Sequence, residues 1–161
     1  MDIAPAADDE GELLRNLMQF YLYDFTEFTG DDVPPPGRWE MGWIDEFLAG
    51  AENHAFVARV DGHPAGLALV EHRDGAQRAE WDMLEFFVLR KYRRSGAGTQ
   101  LARAMFDRFP GRWEVRVLAT NTPAQAFWRR TIEAYTGAAY EERDREDGRG
   151  IVFFFDSARS S

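Results

Sequence analysis

Between Trp81 and Phe109 the chain passes from an apolar, aromatic-rich run through a cationic segment and two glycines into an amphipathic repeat. The run ends at Val88, the cationic segment spans 90–94, and Gly96 and Gly98 precede Leu101, Ala102, Met105, Phe106 and Phe109 at helical spacing. Strand, basic glycine turn and helix start, in that order, is what binding a phosphate demands. Glycines let the backbone bend with its N–H groups inward, and the new helix adds the positive end of its dipole. Neighbouring arginines supply charge-assisted hydrogen bonds to phosphate oxygens. The expected structure is a pyrophosphate cradle. Its spacing is not that of the P-loop, and no third glycine completes the dinucleotide fingerprint.

Composition narrows the partners. A chain of 161 residues, 45% hydrophobic, is expected to form one domain with a substantial core. Its 19 basic and 28 acidic side chains give a formal charge of −9, which argues against nucleic acid and anionic membranes as partners. With no cysteine there is neither a disulfide framework nor a thiol nucleophile. Residues 1–10 lack a signal-peptide pattern, and no apolar run approaches the ~20 residues of a membrane span. A cytoplasmic protein is expected. His54, His63 and His72 show no metal-ligand spacing, so no metal is expected.

Periodicity predicts a long helix over 11–28, a stiff loop at Val33-Pro34-Pro35-Pro36-Gly37, and a short helix from Trp39 that ends near Gly50. Strands are expected over 54–60 and 65–71, joined by an Asp61-Gly62 turn, and over 78–88. A helix over 99–109, a strand over 113–118 and a helix over 122–135 follow, the last with Thr122 as N-cap and Pro123 in its first turn. A final hairpin pairs 138–143 with 150–155, and the tail after Asp156 is expected to fray.

The segment Arg93-x-x-Gly96-x-Gly98, following a strand that ends in Val88, resembles the central motif of the GNAT superfamily of acyl-CoA-dependent N-acetyltransferases. A second similarity lies at Asn121-x-x-Ala124, although Trp128 stands where that family usually has tyrosine. The motifs cover about 85–130 and the order of elements nearly the whole chain. The resemblance implies an α/β (α+β) fold: a mixed, mostly antiparallel sheet with one splayed parallel strand pair and about four helices. It implies acetyl-CoA as the acyl donor and an amine, of a small molecule or a peptide, as acceptor. Phe86 and Val88 would offer backbone groups to the pantetheine. Arg93, Arg94, Ser95, Gly96, Ala97, Gly98 and Thr99 would cradle the pyrophosphate, and Asn121 would line the same site. A homodimer is open to the chain by the same analogy.

For the catalytic base, Glu85 is favoured, with Asp82 next and Glu114 on the neighbouring strand. Being three residues apart on one strand, Asp82 and Glu85 are expected on opposite faces. The tyrosine of the family returns a proton to the departing thiolate. An indole N–H donates a hydrogen bond but transfers no proton, so Trp128 either steers the sulfur or packs in the core. Acceptor contacts are expected from Tyr21, Tyr23, Asp24, Glu27, Asp31, Asp32, Trp39, Glu40 and Trp43, which would suit a cationic amine. The alternative functions are an acyl-CoA-binding module without turnover, acting as sensor or partner-binding domain, and an unrelated α/β domain whose glycine loop binds another anion.

Overall fold

Apolar residues recurring every three or four positions, then every second position, place helices and strands along the chain as periodicity predicts. In a computed structural model, residues 1–73 and 78–159 are described. The elements are β1 (Asp2–Pro5), α1 (Gly11–Thr29), α2 (Gly42–Ala49), β2 (Asn53–Val60), β3 (His63–His72), β4 (Trp81–Val88), α3 (Ala97–Arg108), β5 (Arg112–Leu118), α4 (Thr122–Thr136), β6 (Tyr140–Asp144) and β7 (Gly150–Asp156). Short 3₁₀ turns cover Arg90–Tyr92 and Ser157–Arg159.

The strands form one sheet in the order β1-β2-β3-β4-β5-β7-β6. All neighbours are antiparallel except β4 and β5. Helices α1 and α2 bury Leu14, Leu17, Met18, Ile44 and Phe47 on one face, against Val57, Leu67 and Leu69. On the other face α3 and α4 bury Leu101, Met105, Phe106, Trp128 and Ile132 against Ala68, Val70, Trp113 and Phe153. Each strand shows its alternate residues to the two cores, which fixes its register. Among the described residues no helix is long and apolar enough to cross a membrane.

Local chemistry sets the ends. Asp61 and Gly62 take φ of 51° and 79°, the paired left-handed conformation of a two-residue hairpin turn. Asn121, not Thr122, caps α4: its Oδ1 accepts from the Ala124 amide at 3.1 Å. Several boundaries differ from expectation, among them the start of α2 at Gly42 rather than 39 and of β6 at Tyr140 rather than 138. Edge strand β1 has no periodic signature, because four residues are too few to show one and only pairing with β2 defines it. Strand β4 starts at Trp81 rather than 78, and α3 at Ala97 rather than 99. Residues 157–159 are tied down, with the Ser157 amide donating to the Gly111 carbonyl at 2.8 Å; 160–161 lie outside the described residues.

Two irregularities in β4 position the site. Its pairing with β5 stops after Trp81↔Trp113 and Asp82↔Glu114, so the two strands diverge beyond that point. Against β3, Met83 faces Val70 and Glu85 faces Leu69, leaving Leu84 with no partner: a β-bulge.

Candidate active site

The divergence of β4 from β5 opens a cleft of about 270 Å³. Strand β4 lines it with Met83 to Phe86, and β5 with Val115 to Leu118. Tyr21 and Phe25 of α1 close one side, Asn121, Ala124 and Trp128 the other, and Arg145 of the β6–β7 turn reaches in. Beyond Asp82 the outer edge of β4 has no strand beside it, so its outward N–H and C=O groups face the gap.

The bulge overturns the expectation that Asp82 and Glu85 point to opposite faces. Asp82 lies opposite Glu71 and Glu85 opposite Leu69, and both β3 residues belong to the α1 face of the sheet. An extra residue between them shifts the alternation by one. Glu85 sits in the cleft beside the Tyr21 phenol, and burial pushes its carboxyl up to about 7 against the hydrogen bond from Tyr21. The Tyr21 phenol is itself raised well above its ordinary value by burial and by that carboxylate. Asp82 is fully buried. Its Oδ2 accepts from Arg73 and Arg116, while Oδ1 has no partner. Burial still outweighs the two guanidiniums and raises Asp82 to about 6. Glu114 accepts from Arg73 Nη1. Of the three candidate bases, Glu85 alone lines the cleft.

At the glycine turn the backbone amides, rather than the Arg93 guanidinium, are free to hold an anion. Among the described residues none of the amides from Arg94 to Thr99 donates to a protein acceptor; the first helical bond runs from the Gln100 amide to the Gly96 carbonyl. Arg94 and Gly96 have φ of 63° and 87°, and such alternating left-handed residues curl successive N–H groups into an anion-binding concavity. Helix α3 opens on it, adding its dipole. Gly98 serves packing: a Cβ there would stand 3.2 Å from the Phe127 ring and 3.7 Å from Val88. Arg93 does not aim into the concavity as expected. Its Nε donates to the Val88 carbonyl at 2.8 Å and its Nη2 to Asp24, so it ties the strand end to α1. Ser95 Oγ is engaged on the Tyr92 carbonyl, whereas exposed Arg94 pairs with no carboxylate among the described residues.

Trp128 is both core and cleft wall. It is 5% exposed, packed edge-on against Phe86 at 4.7 Å, and its indole N–H donates to no described group. Phe86, half-buried, stacks its ring on Phe127 and lines the cleft beside Trp128. Tyr135, two turns beyond Trp128 on α4, is occupied with Asp107 of α3. Of the expected acceptor residues only Tyr21 lines the cleft. Asp24 holds Arg90 and Arg93, while Trp39 and Trp43 pack on the α1–α2 core. Sequence reasoning did not single out Phe25, Arg116 or Arg145. The signal for Arg116 was its alternation with Val115 and Val117; nothing local marked Arg145, which arrives with a turn between the last two strands.

The profile of the acetyltransferase (GNAT) family matches residues 17–132. The chain is therefore a member of the GNAT acetyltransferase family. No curated protein matches it in sequence. Among solved structures it is similar to a GNAT-family acetyltransferase from Staphylococcus aureus, with 11% identity, coverage of 97% of this chain and 98% of that one, and a TM-score of 0.68. An acetyltransferase from Thermus thermophilus gives 14%, 96% of each chain and 0.69. An aminoglycoside N-acetyltransferase in complex with CoA gives 20%, 81% of this chain, 89% of that one and 0.58. These likenesses concern the fold.

Proposed function

We propose that this GNAT acetyltransferase moves the acetyl group of acetyl-CoA onto an amine by direct attack within the β4–β5 cleft. The observation that carries the reading is Glu85, a buried carboxyl beside Tyr21 on the wall of the gap where β4 leaves β5. Acetyl-CoA is the acyl donor of this family and brings a thioester carbonyl open to attack. The free amides of 94–99 take its pyrophosphate, which is why the turn carries two left-handed residues and no side-chain cap.

The open edge of β4 beyond Asp82 offers N–H donors to the carbonyl oxygen as negative charge develops there. Glu85 accepts the proton that an ammonium must lose before its nitrogen can attack, and a carboxyl near 7 is matched to that task. The phenol of Tyr21 orients it. A nitrogen–carbon bond forms and the carbon–sulfur bond breaks. Trp128 donates its N–H to the departing thiolate, and the second proton lost by the nitrogen passes through water to the sulfur.

Trp128 also favours a second reading, an acyl-CoA-binding module that does not turn over. Calorimetric titration with acetyl-CoA, with ATP as control, followed by a thiol-release assay on a panel of amines, separates the two. Binding of acetyl-CoA with amine-dependent thiol release supports transfer. Binding without release from any amine assigns the module, and equal binding of ATP overturns both.

A further inference from the structure

We propose that the acceptor carries, beside its amine, an oxyanion group, a carboxylate or a phosphate, held by Arg116 and Arg145 at the floor of the cleft. This rests on the acetyl-transfer reading of the same cleft. The chain as a whole is strongly acidic, yet the cleft is not. Among the described residues lining it, Glu85 is the one carboxylate and Arg116 and Arg145 are the cations. The carboxylates that would have drawn a cationic acceptor lie elsewhere, Asp24 on its two arginines and Asp31 and Asp32 on the exposed surface.

The two guanidiniums have donors to spare. Arg116 gives Nη2 to Asp82 and holds its Nε 3.8 Å from Glu114 Oε1, which leaves Nη1. Arg145 gives Nε and Nη2 to Asp147, which leaves Nη1. Both residues line a second cavity of about 300 Å³ that continues from the first. Arg73, Arg78 and Arg143 also line it, together with Glu114, Asp144, Glu146 and Asp147, so its charges are nearly balanced and the anion is confined to the Arg116–Arg145 end that the two cavities share.

Asp82 explains why Arg116 stays there. Burying a carboxylate with one oxygen unpartnered is costly unless its charge partners are fixed. Its Oδ2 binds Arg116 and Arg73 together, so Arg116 is held in place on the cleft wall. The Nη1 groups left on Arg116 and Arg145 supply donors for the two oxygens of a carboxylate or phosphate. The amine of such an acceptor then lies toward Glu85 and its anion toward the β6–β7 turn.

The test is calorimetry on the CoA-saturated protein with matched probes: β-alanine against β-alaninamide, phosphoethanolamine against ethanolamine, and spermidine. The expected result is binding of an anionic member about tenfold or more tighter than its neutral partner. Arg145→Gln should reduce that preference to within about threefold. Arg116→Lys, which keeps a cation on Asp82, should reduce it as well, and serves if the first variant does not fold. Equal or tighter binding of the neutral amines or spermidine, no binding of either anionic probe, or an undiminished preference in both folded variants would overturn the proposal. Thiol release from acetyl-CoA with the tightest probe is scored separately. A preference without release overturns acetyl transfer and leaves the anion site standing.

Discussion

Asp82 and Glu85, three residues apart on one strand, face the same side of the sheet because Leu84 is bulged out of register between them. One carboxyl is sealed beneath two guanidiniums and the other stands in the cleft. The bulge thus puts one of two similar side chains beneath the arginines and the other in the cleft, where the proposed reaction would use it.

Glu85→Gln should lower kcat about 100-fold or more while acetyl-CoA affinity stays within about twofold. In the wild type kcat/KM should rise with pH through about 7, where Glu85 loses its proton, and this limb should vanish in the variant. Steady-state thiol release across pH reads both effects. An unchanged profile in the variant removes Glu85 as base.

The same carboxyl makes stability depend on pH. Glu85 and Asp82 titrate at about 7 and about 6 in the folded chain, above the ordinary carboxylate range. Between those limits the folded state holds protons that the unfolded state has released, so stability falls as pH rises from about 4 to about 7. Glu85→Gln removes one ionisation. It should be about 1–3 kcal/mol more stable than wild type at about pH 8 and no different near pH 4, as read from urea midpoints.

The two glycines of the turn should fail differently. Gly98→Val drives a side chain into Phe127, and should lower stability by about 1–3 kcal/mol. At Gly96 an added Cβ meets only the Gln100 side chain, at an ordinary contact of 3.8 Å, but must hold a φ of 87°. Gly96→Val should cost about 1–2 kcal/mol and weaken acetyl-CoA binding about tenfold or more, because the branched side chain stands over the free amides. Denaturation and calorimetry on both variants give the comparison; intact acetyl-CoA affinity in folded Gly96→Val would dismiss the cradle.

Trp128 tests how the thiolate leaves. Trp128→Phe keeps an aromatic ring against Phe86 but removes the N–H, and should lower kcat about tenfold with acetyl-CoA affinity unchanged. Trp128→Tyr puts a phenol there and should recover the loss. If both variants turn over like wild type, Trp128 is only a packing residue.

The order of the elements other than β1, the glycine turn, and the place of Glu85 on the central strand were legible from the chain alone. Each depends on local rules: periodicity sets helices and strands, glycines permit left-handed backbone, and an apolar strand before a basic turn fixes where a phosphate is held. Strict alternation misjudged Asp82, because a bulge depends on how β3 pairs with β4, and that pairing joins residues far apart in sequence. Arg93 has the residue type of a phosphate ligand, but Asp24, 69 positions away, decides where its guanidinium goes. Tyr21, Arg116 and Arg145 come from the first helix, a central strand and the last turn, and meet only when the sheet closes. The sequence by itself determined the elements and the anion-binding turn, since those follow from short-range sterics and hydrogen bonding. Only the tertiary structure decided which charges surround the cleft, since electrostatic and packing partners are chosen by proximity in space rather than along the chain.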